Sequence, residues 1–205
     1  MWTKKYITSV ALITIVILAI GGILWSSDAG SLATAPESEW QSGADDAPVT
    51  IDVYPDFTCH ICVEKERLVL QALSLYPEKV RMVYHHYPIS EFGQKLAEVL
   101  EAAGEQGKFW EMHDRLLQDA IYATSQLNAF AEEIGLNMEQ FKQSLDSGKF
   151  SEKVEISKRQ AELHGVDNVS VFINRLEYQH YPGTLSDLRA AIEEALNRSG
   201  ADVND

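Results

Sequence analysis

The spacing of hydrophobic and polar positions changes along the chain, and each change marks an element. Val49 to Tyr54 (VTIDVY) is rich in β-branched residues with apolar alternation, a strand signal. Pro55-Asp56-Phe57-Thr58 interrupts it. A helix is expected from about Cys59, because Ile61, Leu68, Ala72 and Leu75 fall at helical spacing and Pro77 stops the run. Val80 to Tyr87 (VRMVYHHY) has strand character again, which completes a β-α-β unit with parallel strands and a right-handed crossover. From about Glu91 to Leu163 the period is helical throughout. Gly104, Gly135, Gly148 and Gly165 divide this stretch at positions suited to helix C-caps, and Asn137 with Gln140 suits the start of a helix at Met138. Strand character returns at Val169 to Asn174 and around Leu176 to Tyr181, and Thr184 with Asp187 is placed to cap a last helix over Leu185 to Asn197. The order is β-α-β, helical block, β-β-α. It predicts one α/β core carrying a helical insertion over about residues 91–164.

The N-terminus follows a different pattern. Tyr6 to Trp25 holds 20 residues without a charge, enough to span the roughly 30 Å of a bilayer's hydrocarbon core as a helix. A cleaved leader usually has a shorter apolar run of about 7–15 residues. Residues 1–27 are therefore expected to be a single-pass anchor. Lys4 and Lys5 before the span place its start in the cytoplasm and the body outside, at the cell (inner) membrane on the periplasmic side. Residues 28–46, small, polar and acidic, are expected to be a flexible linker in which Trp40 is the residue suited to dock. The folded domain is expected over 47–198 and a disordered tail over 199–205.

Charge and composition narrow the function. The chain carries a net charge of −14, and without clustered Lys and Arg it is not a nucleic-acid binder. Beyond residue 27 there are 15 basic against 31 acidic residues, so the body is repelled by anionic lipid and does not lie on it. There are 2 cysteines, too few for a disulfide-stapled scaffold or a four-cysteine zinc site. Both belong to one motif, Cys59-His60-Ile61-Cys62, at a strand-to-helix junction. There the first cysteine meets the free N–H groups and positive end of the helix, which favours a thiolate, and the second lies one turn on, close enough to close a small ring. So small a loop restrains little chain entropy, which argues for a working disulfide over a structural one.

The stretches DAPVTIDVYPDFTCHIC, VRMVYHHYPI, GEQGKFWEMHDRLL and GVDNVSVFIN, in that order, resemble the DsbA-like branch of the thioredoxin fold from about Ala47 to Leu196. The resemblance implies a thioredoxin-like α/β domain and a thiol–disulfide oxidoreductase acting on secreted or surface proteins. It implies Cys59 as the exposed attacking thiol and Cys62 as the buried resolving one. The redox-active disulfide would be the only redox group, with no cofactor and no resident metal. Partners would be cysteine-containing protein substrates and a membrane redox partner, either quinone-linked or an electron-donating thiol protein.

Three departures from the family pattern stand out. Ser170 takes the place of a cis-proline in the loop expected to face the disulfide, after Val169. A trans Val169–Ser170 bond, or a strained cis one, is expected, because a non-proline cis bond costs about 2.5–4 kcal/mol. His60 inside the motif can stabilise the Cys59 thiolate when protonated, while Asp56, Glu64 and Glu66 would oppose it if they face the sulfur. Val53 stands six residues before Cys59, where many relatives hold a buried acid, and no side-chain proton acceptor for Cys62 is evident. His85 and His86 are expected on opposite faces of a strand end and partly exposed, and His113 as a packing or capping residue. Two other functions compete. One is a copper- or zinc-holding module using the two sulfurs with His60 and His85 or His86; the other is a non-catalytic binding or chaperone domain.

Overall fold

The computed structural model describes residues 40–118, 123–179 and 183–201. The expected anchor over 1–27, the linker up to residue 39 and tail residues 202–205 lie outside them. Five strands form one sheet in the order β1-β3-β2-β4-β5: β1 (Trp40–Gly43), β2 (Val49–Tyr54), β3 (Val80–Tyr84), β4 (Ser170–Ile173) and β5 (Leu176–Glu177). β2 and β3 run parallel, joined through helix α1 (His60–Leu75), as the β-α-β pattern predicts. β1, β4 and β5 each add antiparallel. Val49, Ile51 and Val53 send their side chains to the buried face, while Thr50 and Asp52 take the other. Helix α1 and the last helix α7 (Leu185–Ser199) pack on each other and on the sheet.

The helical block comprises α2 (Glu91–Gly104), α3 (Phe109–Gln118), α4 (Thr124–Glu133), α5 (Met138–Asp146) and α6 (Ser151–Leu163). The cap expected at Asn137 is present in part. The Asn137 side chain accepts from Gln140 N at 3.1 Å, but Asn137 N donates to Gln106 Oε1 in the α2–α3 turn at 2.8 Å instead of to the Gln140 side chain. Thr184 and Asp187 cap α7 reciprocally.

Several boundaries differ from expectation. The residues 40–43 assigned to the linker form β1, because Trp40 has a place to go. Its indole stacks on Phe109 at 4.2 Å, and its Nε1 donates to Glu101 Oε1 at 2.9 Å. Gly104 is the last residue of α2 and no left-handed cap; an added Cβ there would lie 2.3 Å from the Trp40 ring, so glycine is required by close approach. Gly135, Gly148 and Gly165 do take positive φ. β3 ends at Tyr84, not Tyr87, since its neighbour β2 runs into Pro55. The supposed tail begins as structure: α7 continues to Ser199 and Gly200 closes it in the left-handed conformation. Among the described residues no helix is long and apolar enough to cross a membrane.

Candidate functional site

The loop between β2 and α1 is held by a buried carboxylate. Asp56 Oδ1 accepts from Thr58 N at 2.6 Å and from the Thr58 hydroxyl, and Oδ2 accepts from Ile89 N at 2.6 Å. The Asp56 carbonyl takes Cys59 N at 2.9 Å. Gly93 leaves room for this carboxylate, since a Cβ there would fall 2.3 Å from Oδ2. Asp56 thus ties the segment before the motif to the segment after β3, and both oxygens are committed to that work.

Cys59 is the N-cap of α1, and its Sγ accepts from Cys62 N at 3.3 Å. A sulfur so placed receives helix-terminal N–H groups and the positive end of the dipole, which favours the thiolate whenever the disulfide opens. The two cysteines are joined, with Cα atoms 5.3 Å apart. Cys59 is half-buried and Cys62 is only 5% exposed, so an incoming nucleophile reaches the first sulfur before the second. Both line a cavity of about 540 Å³ whose far wall carries Val169 and Ser170. Ser170 sits opposite Tyr54 in the β2–β4 register, which sets the expected loop against the motif. Asn168 Oδ1 accepts from Val169 N at 2.8 Å, and the Ser170 hydroxyl donates to the Asn168 carbonyl at 3.0 Å. Ile61 and Ile89 border the cavity and are both largely exposed, an apolar rim beside the disulfide.

The three neighbouring acids separate clearly. Glu64 is exposed and paired with Arg67 at 2.6 Å. Asp56 is spent on the loop. Glu66 lies on the buried face of α1 one turn after Cys62, lines the same cavity and is 1% exposed. Its Oε1 meets His113 Nε2 at 2.8 Å, while Oε2 is buried and accepts no hydrogen bond. His113 is fully buried among the rings of Phe57, Tyr84, Phe109 and Trp110, with Asp114 Oδ1 at 3.2 Å from Nδ1. Burial opposes charge on this imidazole, but Glu66 and Asp114 outweigh it and raise its pKa to about 9. The expected packing histidine is therefore half of a buried ion pair beside the disulfide.

A family model described as Thioredoxin (Thioredoxin_4) matches residues 35–194. The chain belongs to the thioredoxin family. The DsbA-like resemblance agrees with its structural neighbours. A thioredoxin-like oxidoreductase from Silicibacter pomeroyi superimposes with a TM-score of 0.68 at 23% identity, covering 78% of this chain and 92% of that one. The alpha-DsbA1 of Wolbachia pipientis gives 0.71 at 18% identity, covering 82% and 95%. Among curated proteins, the Na(+)/H(+) antiporter NhaA 3 of Salinispora tropica is 33% identical over 166 residues, which is 78% of this chain and 25% of that protein. The chain spans about a quarter of the length of the first curated relatives it matches.

Within this thioredoxin domain the remaining predicted residues are dispersed. His60 is exposed in the first turn of α1. His85 turns to Asp52 at 3.0 Å on the opposite face of the sheet. His86, expected to be partly exposed, is 3% exposed, because its Nε2 donates to Glu101 Oε1 at 2.8 Å inside the helical block. Burial works against the Glu101 charge, yet hydrogen bonds from His86, Lys153 and Trp40 outweigh it and hold the pKa below the usual carboxylate value.

Glu66, expected only as a charge that could oppose the Cys59 thiolate, is instead buried against His113, and the sequence carries a signal of that burial. Cys62, Glu66, Val69 and Leu73 form one buried stripe at helical spacing, and a carboxylate inside such a stripe marks a buried acid.

Proposed function

We propose that this protein exchanges its Cys59–Cys62 disulfide with cysteines of secreted or surface proteins, from an extracytoplasmic domain tethered by residues 1–27. One observation carries this reading: a half-buried Cys59 caps α1 at an open cavity while Cys62 stands sheltered behind it. In the oxidising direction, a client thiolate attacks Cys59 Sγ and Cys62 leaves. A second client thiolate then attacks the mixed disulfide, releasing Cys59 and completing the client's own bond. His60 tunes the Cys59 thiolate, and Val169 and Ser170 form the wall along which an extended client segment lies. No bound cofactor takes part; a quinone-linked protein or an electron-donating thiol protein in the membrane resets the pair.

The length comparison supports a working place at the membrane, since the matched curated relatives are named as antiporters and are about four times longer than the region they share with this chain. A copper or zinc module is disfavoured by the donors. Neither His85 nor His86 lines the cavity with the cysteines, and among the described residues no group of three or more His, Cys, Asp or Glu could hold an ion. A non-catalytic domain leaves the cavity at the disulfide without a use.

Equilibration of the purified full chain with glutathione tests the proposal. A two-electron couple between about −120 and −280 mV is expected, and a value below about −300 mV, typical of structural disulfides, would overturn it.

A further inference from the structure

Negative charge develops on sulfur each time the Cys59–Cys62 bond opens, so the charges on the surrounding walls matter. Four charged side chains line the cavity: Lys65, Glu66, Asp167 and Glu177. Glu66 is 1% exposed, and His113 meets its charge. Lys65 and Glu177 offset each other: burial lowers the lysine pKa, and the Glu177 charge opposes that shift. Asp167 is left over. It is exposed, and among the described residues no cation pairs with it.

The backbone holds Asp167 in place from both sides. Before it, Gly165 makes the left-handed turn out of α6, and the carbonyl of buried Val166 accepts from the Tyr87 hydroxyl at 3.3 Å. After it, Asn168 takes Val169 N on its side chain and the Ser170 hydroxyl on its carbonyl. Ser170 then enters the sheet opposite Tyr54. The carboxylate is therefore carried on the wall along which a client segment lies.

On its own, an acid at this point works against the exchange. A nearby negative charge raises a thiol pKa, so Asp167 opposes the thiolate that the helix terminus favours. A cation brought in by the client reverses that effect. It meets a carboxylate without a partner, and it relieves the repulsion as a sulfur leaves with its electron pair. We propose that Asp167 selects clients that carry lysine or arginine beside the reacting cysteine. This rests on the exchange reading above and names the class of client segment. Ile61 and Ile89 on the rim are largely exposed, so the favoured segment carries an apolar residue as well.

The charge of the whole body acts in the same sense. Beyond residue 27 there are 15 basic against 31 acidic residues, a field that draws basic segments in and slows acidic ones. That field is blind to where in the segment the cation lies. Asp167 is not, because a fixed charge beside the disulfide acts at short range.

Dithiol peptides that differ only in having Lys, Gln or Glu beside each cysteine test the proposal. The oxidised full chain is mixed with each peptide, and the rate is divided by that peptide's rate with uncharged bis(2-hydroxyethyl) disulfide. The division removes the effect of the flanking charge on the peptide's own thiols. At about 20 mM salt the Lys peptide should exceed the Glu peptide about tenfold, and near about 0.5 M the two should come within about twofold. Asp167→Asn should cut the low-salt ratio about threefold. Glu139→Gln, an equal change of charge in the exposed first turn of α5 and outside the cavity, should leave the ratio as it is. A low-salt ratio near one, an unchanged ratio in Asp167→Asn, or an equal fall in Glu139→Gln would overturn the proposal. Failure of all three peptides to react would instead sink the exchange reading itself, and this inference with it.

Discussion

Raising the pH should weaken the oxidised fold through His113. The imidazole has an ordinary pKa of 6.5 and reaches about 9 in the structure, so the folded chain holds this proton more tightly than the unfolded one. Its stabilisation is complete below pH 6.5 and is lost as the pH climbs through 9. A gap of about 2.5 pH units, at about 1.36 kcal/mol each, corresponds to roughly 3 kcal/mol. That is a large share of the 5–15 kcal/mol typical of a domain. Two nearby groups do not mimic the effect. Burial lifts Tyr84 well above its ordinary value, which removes stability only as the pH passes the ordinary tyrosine value of 10, whereas burial lowers Lys65, which adds stability as the pH rises. The assay is urea denaturation of the oxidised full chain at pH 6 and pH 9.5, followed by tryptophan fluorescence. The wild type should lose roughly 3 kcal/mol between the two. The double variant Glu66→Gln/His113→Gln, with a neutral hydrogen-bonding pair in place of the ions, should lose far less. A flat wild-type profile, or the same slope in the double variant, would refute the assignment of the charge to His113.

Two further substitutions probe the frame around the site. Gly104→Ala should cost about 1–3 kcal/mol of stability despite alanine's better helix propensity, because the new methyl meets the Trp40 ring stacked on Phe109. Near-ultraviolet circular dichroism of the indole reads the displacement, and a stabilised variant with an unchanged signal would count against that contact. Asp56→Ala should cost about 3 kcal/mol or more by leaving the Ile89 and Thr58 amides without their acceptor. Asp56→Asn should fare little better, since an amide group places a donor against one of those N–H groups. Thermal melts showing wild-type stability in the Asn variant would contradict the two-acceptor arrangement.

Most of the frame could be read from residue pattern because local and global preferences agree there. The β2-α1-β3 unit combines a β-branched strand, a proline-bounded helix and a second β-branched run. The junction that presents Cys59 follows from the same segments. β1 was hidden because WQSG has a single large apolar residue and pairs only along one edge, so its strand form depends on Trp40 finding Phe109 and Glu101 far along the chain. Gly104 matched the pattern of a helix end for a reason other than backbone handedness. At the site, the cysteines are plain from spacing, whereas the buried Glu66–His113 pair is only half legible. What identifies Glu66 is its partner, and pairing with His113 across 47 positions depends on how α3 packs, which no local periodicity encodes.

The paired charges at 66 and 113 also bear on how the protein could be altered. A matched set of oily side chains of similar bulk would fill the same space without desolvating any ion, and exchanges of that kind are often neutral or favourable to a fold. Breeding this domain for heat tolerance alone would therefore tend to erase the pair, leaving a sturdier protein with an intact sulfur bridge that no longer softens in alkaline solution.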